Sequence, residues 1–294
     1  MSNNRSISRT EPVLNGKALY TPKGAAREYA AVGCNIYTGC KHDCQYCYLK
    51  RGVLSHAMGG TEVRLKSCFK DEEDAVMTFC READRQLAYL QKVGVFFSFS
   101  TDPLISETRE VTKLCVIQAN IRHIPVKLLT KNADFIEDDV FMSWMLQPDF
   151  RRELVAFGFT LTGRDDMEPN ASPNSRRIWT MGRLHQMGFR TFASIEPIID
   201  FNSSFTMIED SALFCDHFKI GLRSGVKDDY YNPDECAFFI GRVTGLCEKS
   251  SFTVYWKESM HKYIQKHMAR DNFEEALSCS RKFVGRDYNI FNGE

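Results

Sequence analysis

Neither net charge nor long apolar stretches mark this sequence of 294 residues. Lysine and arginine together number 38, as do aspartate and glutamate, so the formal charge is zero. That balance excludes whole-molecule attraction to nucleic acid or anionic lipid as a basis for function and leaves only a local basic groove to be sought. No stretch approaches the roughly 18 uninterrupted apolar residues of a membrane span, and residues 1–28 hold no apolar core of signal-peptide length. The expectation is a cytoplasmic protein with no membrane partner. Low-complexity tracts, internal repeats and an interdomain linker are also missing. What is present is a 43% apolar content, enough for a substantial core, and 11 cysteines. In a reducing compartment these are thiols, metal ligands or catalytic groups rather than disulfides.

Polar residues together with Pro12 and Pro22 make 1–28 an extended N-terminal arm. Apolar strand-like runs then alternate with longer helical patterns, the signature of repeated βα units around a parallel sheet. The spacing predicts strands at 30–37, 93–103, 126–131, 155–162, 190–195, 217–222 and 252–256. Helices are expected over 71–91, 108–121, 134–146 and 174–187, the last stopped by Gly188, with 62–66 as a short extra strand. About six such repeats fall short of the eight in a closed barrel. The expected fold is therefore α/β, a partial (β/α)6 TIM-like barrel with parallel strands. Its core runs over 29–257, between the N-terminal arm and a C-terminal helical extension at 258–294.

The densest chemistry lies in GCNIYTGCKHDCQYCYLKRG, where Cys40, Cys44 and Cys47 form a Cys-x3-Cys-x2-Cys run directly after the first strand. In a barrel this is the C-terminal mouth, where active sites are built. At this cysteine frequency about 0.015 such runs arise by chance per chain. Thiolates are the ligands iron–sulfur clusters need, and these spacings let one loop curl around the corners of a cubane. Three ligands for four irons leave one iron open. The alternative is a structural zinc site, which needs four ligands and would recruit Cys34 or His42. On that alternative the chain is a non-enzymatic nucleic-acid-binding module, stapled by zinc or iron–sulfur, with Lys41, His42, Lys50 and Arg51 as contacts.

The same run resembles the signature of the radical S-adenosylmethionine superfamily. The resemblance implies a [4Fe-4S] cluster on Cys40, Cys44 and Cys47, with S-adenosylmethionine chelating the open iron. It also implies an external one-electron reductant of the flavodoxin or ferredoxin type, and reductive cleavage to a 5′-deoxyadenosyl radical that abstracts a hydrogen atom from substrate. From about Gly33 to Ile220 the chain is similar to the spore photoproduct lyase branch. Tyr46 and Tyr48 flank Cys47 as the lyase's paired tyrosines do, which implies a catalytic hydrogen-atom relay; plain aromatic packing is the other reading. The segment SFSTDP resembles the one that binds the methionine end of the cofactor, implying Ser100, Thr101 and Asp102 as ligands. Lys131 stands where the lyase contacts the cofactor carboxylate. Thr160 and Thr162 alternate on the next strand and would face the ribose or methionine group together, or else fill the barrel.

Glu196, in SIEPIID, resembles a residue of a related phage-associated group. A carboxylate ending a strand among apolar residues must bond something, whether substrate, the cofactor ribose, or a barrel lysine or arginine. Arg164, Lys219 and Lys257 are further polar candidates at strand ends. One departure bears on the reaction: where the lyase has the cysteine that returns a hydrogen atom to the thymine-dimer radical, this chain has Phe99. Phenylalanine cannot donate that atom, so spore photoproduct repair by the lyase mechanism is not expected. The substrate class, whether nucleic acid, peptide or small metabolite, stays open. The remaining cysteines, Cys68, Cys80, Cys115, Cys215, Cys236, Cys247 and Cys279, are scattered and read as buried structural thiols.

Overall fold

Successive side chains of a strand point to opposite faces, and here the two faces are used differently. The structure is a computed structural model that describes residues 11–52, 54–267, 277 and 280–293. In chain order its first elements are β1 (Leu19–Tyr20), β2 (Gly33–Cys34), β3 (Tyr37–Thr38), α1 (Leu54–Met58), β4 (Arg64–Leu65), α2 (Glu72–Arg85), α3 (Leu87–Val93) and β5 (Val95–Phe97). There follow α4 (Arg109–Ile121), β6 (Val126–Thr130), α5 (Asp139–Met145), β7 (Val155–Thr160), α6 (Asn174–Gln186) and β8 (Arg190–Ile198). The series ends with α7 (Phe201–Ser211), β9 (His217–Leu222), α8 (Pro233–Glu248), β10 (Thr253–Trp256) and α9 (Glu258–His267). The main sheet has the order β1-β2-β5-β6-β7-β8-β9-β10, and β3 pairs with β4 as a separate ribbon.

From β2 to β10 every neighbouring pair in the main sheet is parallel, and six helical crossovers connect these strands. β1 lies antiparallel on β2, and β1 and β10 are the two ends of the sheet. The barrel is therefore partial, as the βα rhythm implied. Asp71, Asp138, Asp200 and Asn232 cap α2, α5, α7 and α8 by accepting first-turn N–H groups. Gly188 takes φ +88° just after α6, the left-handed stop its position suggested.

One face of the sheet packs under the helices through Val95, Phe97, Val126, Leu128, Phe157, Phe159, Ala193 and Phe218, all in the main apolar core. The alternate positions form a second cluster in which Phe96, Ala156 and Phe192 meet Ala30 and Ile290. Tyr29, Phe99, Leu129, Tyr288 and Phe291 pack against it. This second cluster fills the barrel beneath its mouth.

Two expected strands are shorter than the apolar runs suggested. Of 93–103 only Val95–Phe97 pairs, because β2 offers just two residues and hydroxyls then compete for the backbone. Ser98 Oγ donates to the Thr101 carbonyl at 2.6 Å and Ser100 Oγ to the Tyr37 carbonyl at 2.6 Å. The run 30–37 likewise splits between two sheets. Asn35 stands between the halves, and its side chain is bonded to the Phe99 N–H and the Tyr20 hydroxyl.

Candidate active site

A cavity of about 380 Å³ opens at the C-terminal ends of the parallel strands. Cys40, Cys44 and Cys47 line it together, all three as free thiols. Burial, then the Asp102 charge, pushes the Cys40 thiol up to about 12, and burial raises Cys44 as well. Among the described residues no three His, Cys, Asp or Glu side chains converge as ligands of a single ion. A cubane does not require that, since each thiolate binds its own iron at a separate corner.

Opposite the loop, Thr101 follows β5, Thr130 and Lys131 end β6, and Thr160 ends β7, all on the cavity wall. Thr101 Oγ1 is buried without a hydrogen-bond partner among the described residues. Lys131 Nζ has no carboxylate partner there either and lies 5.5 Å from the centre of the Tyr46 ring. Its burial favours the neutral amine, but Cys44 and Glu168 outweigh that and raise its pKa. An unspent cation and an unspent hydroxyl face the same space as three thiols.

Asp102 is placed at the cavity but its oxygens are occupied. They accept from His42 Nε2 at 2.7 Å, the Lys131 N–H at 2.7 Å, the Leu104 N–H at 2.9 Å and the Thr130 hydroxyl at 2.7 Å. This carboxylate clasps the cysteine loop to the ends of β5 and β6. Burial works against its ionisation, yet His42 and the N–H donors win and hold its pKa below the usual value. A depressed carboxylate stabilises the fold fully above its unfolded value of about 4, and the contribution is lost as pH falls through the lowered folded value. Asp102→Asn should therefore cost roughly 2–3 kcal/mol near neutral pH and shrink the loss of stability on acidification. Urea midpoints between pH 7 and 2 read both; identical acid limbs in the two proteins would contradict this role.

Ser100 and Thr162 do not line the cavity. The Ser100 hydroxyl goes to Tyr37, and Thr162 is fully buried, with its Oγ1 accepting from the Arg164 N–H at 3.2 Å. Arg164 itself pairs with Asp166 and Asp200. Tyr46 lines the cavity with its hydroxyl bonded to Glu168. Burial first, then Glu168, raises its pKa, so it keeps its proton. Tyr48 is half exposed at the mouth and donates to the Phe99 carbonyl. Glu196 reaches the cavity floor, where it pairs with Lys257 and accepts from the Tyr29 hydroxyl at 2.6 Å.

Several contributors escaped the sequence reading. Arg177 and Glu168 are both fully buried, with Arg177 Nη2 2.7 Å from Glu168 Oε2. The contact is an ion pair by distance without hydrogen-bond alignment. Arg177 also donates to the Thr160 carbonyl at 2.8 Å and the Ser172 carbonyl at 2.7 Å. Tyr29, Glu28 and Ser194 join Glu196 and Lys257 below the cavity.

The zinc alternative finds no fourth ligand in the two residues proposed for it. Both His42 ring nitrogens are engaged, with Asp102 and with the Asn170 carbonyl, and Cys34 is buried in the core below the loop. The basic residues of the loop are also occupied: Lys41 pairs with Glu107, Lys50 with Asp43, and Arg51 donates to the Ser224 carbonyl.

No protein-family model matches the sequence, and no curated protein matches it. Solved structures do match in fold. A spore photoproduct lyase complexed with dinucleoside spore photoproduct aligns with a TM-score of 0.59 at 13% identity, over 81% of this chain and 80% of that one. The fold is that of spore photoproduct lyase. SuiB of Streptococcus suis is also similar in fold. Bound to S-adenosylmethionine it aligns with a TM-score of 0.51 at 11% identity, over 84% of this chain and 55% of SuiB. Bound to its precursor peptide SuiA the figures are 0.53 and 12%, over 84% and 54%. The chain thus spans about half the length of SuiB. No helix among the described residues is long and apolar enough to cross a membrane.

Proposed function

We propose that the chain is a radical S-adenosylmethionine enzyme whose cluster ligands are Cys40, Cys44 and Cys47. The observation that carries this reading is that three free thiols, an unpartnered threonine hydroxyl and a lysine with no ion-pair partner among the described residues open onto one cavity at the mouth of a partial barrel. When bound, a [4Fe-4S] cluster and S-adenosylmethionine together supply a carbon radical able to abstract a hydrogen atom from substrate.

The rest belongs to the chain's own groups. Lys131 offers a positive charge for the cofactor carboxylate, and Thr101 and Thr160 offer hydroxyls beside it. Arg177 and Glu168 hold the end of β7 and the Tyr46 ring in place behind the cofactor side. Phe96, Phe99 and Leu129 line the cavity with apolar surface that keeps water from a reactive intermediate. Asp102 acts through position, keeping the cysteine loop and the ends of β5 and β6 at fixed separation. The electron is delivered by an external reductant. The reaction differs from spore photoproduct repair, since Phe99, stacked on Phe96 with ring centres 4.5 Å apart, has no thiol hydrogen to return.

Anaerobic reconstitution with iron and sulfide tests this reading. The expected product is brown protein holding about four irons per chain. Its reduced cluster signal should change on adding S-adenosylmethionine, and 5′-deoxyadenosine should appear on reduction. Colourless protein that retains one tight zinc and yields no 5′-deoxyadenosine would refute it.

A further inference from the structure

The candidate cofactor groups all come from β2, β5, β6 and β7, on one side of the cavity. The other side, built on β8, β9 and β10, carries acidic and basic side chains that this chemistry leaves unassigned. Glu196 and Glu28 are held there by Lys257, and Lys219 donates to the Glu28 carbonyl at 2.8 Å. Lys127 reaches the Tyr29 carbonyl at 3.0 Å. Arg223, just beyond the end of β9, is different. Its side chain lines the cavity, its Nε is buried without a partner, and no carboxylate among the described residues forms an ion pair with it. An orphaned guanidinium N–H is costly, and the missing acceptor is what a bound anion supplies.

Arg51 lies close by. It crosses from the end of the cysteine loop to the segment after β9, its Nη1 donating to the Ser224 carbonyl at 2.8 Å. Gly225 permits this approach: it has φ +68°, and a Cβ there would stand 2.5 Å from Arg51 Nη1. No carboxylate among the described residues pairs with Arg51 either. Burial lowers the pKa of Lys127 to about 8 and that of Lys219 as well, and Lys257 is held by Glu28 and Glu196, so among the described residues the cations left without a carboxylate on this half are Arg223 and, beside it, Arg51.

We propose that Arg223, flanked by Arg51, is the anchoring site for a phosphate group on the substrate, so that the substrate is a phosphate-bearing molecule. The proposal rests on the cavity being the active site. A guanidinium presents a planar fork that fits phosphate oxygens through two parallel hydrogen bonds. A phosphate monoester also carries about −1.5 to −2 at neutral pH, which matches the local surplus of positive charge better than a single carboxylate does. The anchor stands across the cavity from Lys131, so a molecule held by it lies between the cofactor side and the floor made by Tyr29 and Glu196.

Calorimetric titration of the reconstituted protein with inorganic phosphate at constant ionic strength, with acetate as the carboxylate comparison, reads this site without turnover. Saturable binding of phosphate is expected, with acetate at least about tenfold weaker. Arg223→Gln should weaken phosphate by about tenfold or more, and Arg51→Gln by a smaller factor. The proposal is overturned by wild-type protein without saturable phosphate binding, by acetate binding as tightly, or by undiminished affinity in Arg223→Gln. If circular dichroism shows Arg223→Gln unfolded, Arg223→Lys carries the test: it keeps the charge, loses the fork and should bind several-fold more weakly. Equal affinity in that variant overturns the proposal too. Failure here leaves the radical reading standing, whereas absence of 5′-deoxyadenosine sinks that reading and leaves the phosphate result intact.

Discussion

Cys44→Ala should reduce 5′-deoxyadenosine formation to background, a loss of about a thousandfold or more, because two remaining thiolates cannot hold three corners of a cubane. Iron content after reconstitution should fall with it. The fold should survive. Cys44 is a small, nearly buried side chain on a loop, and exchanging sulfur for hydrogen there costs about 1 kcal/mol, well within the stability of a domain this size. Thermal melting followed by circular dichroism separates the two effects. Cys34→Ala is the matched control, since Cys34 sits in the core, does not line the cavity, and should leave cofactor cleavage unchanged. Turnover retained in Cys44→Ala would withdraw the ligand assignment.

The largest effect on stability is expected at Arg177. Replacing it with methionine preserves much of the volume but strands the Glu168 carboxylate and the Thr160 and Ser172 carbonyls without their cation. Removing one partner of a buried pair typically costs roughly 3–5 kcal/mol, because the other charge stays desolvated. Arg177→Met/Glu168→Gln should recover part of that loss, since no full charge then remains in the interior. Urea unfolding of the two single variants and the double variant gives the coupling. A cost below about 1 kcal/mol for Arg177→Met would mean that Glu168 finds another partner or takes up a proton.

The βα rhythm was legible because parallel strands buried on both faces read as apolar runs, as in Val155–Thr160 and His217–Leu222. The ends of such runs were less so. Ser98 and Ser100 look like a continuation of β5 on hydropathy alone, and only the hydroxyls' choice of backbone acceptors breaks the ladder. At the site, residues clustered in one loop could be found by spacing, which is why the cysteines stood out. Tyr29, the pair Glu168 and Arg177, and Arg223 come from three distant parts of the chain, and nothing local distinguishes them from surface residues. Asp102 shows the opposite failure: it lines the cavity, but a sequence cannot reveal that four donors already saturate its oxygens. Thr101, its neighbour, is the one whose oxygen is left free.

The aromatic cluster below the mouth has a consequence for how the molecule is made. Its lower side is supplied by Tyr288, Ile290 and Phe291, residues translated long after the cysteine loop. A ribosome-bound chain that has just finished β10 therefore possesses all three thiols of the cysteine loop and every described strand yet has an unsealed bottom, through which solvent reaches Phe96 and Phe192. Sealing comes only when that late segment docks, so the compartment suited to radical chemistry is completed last.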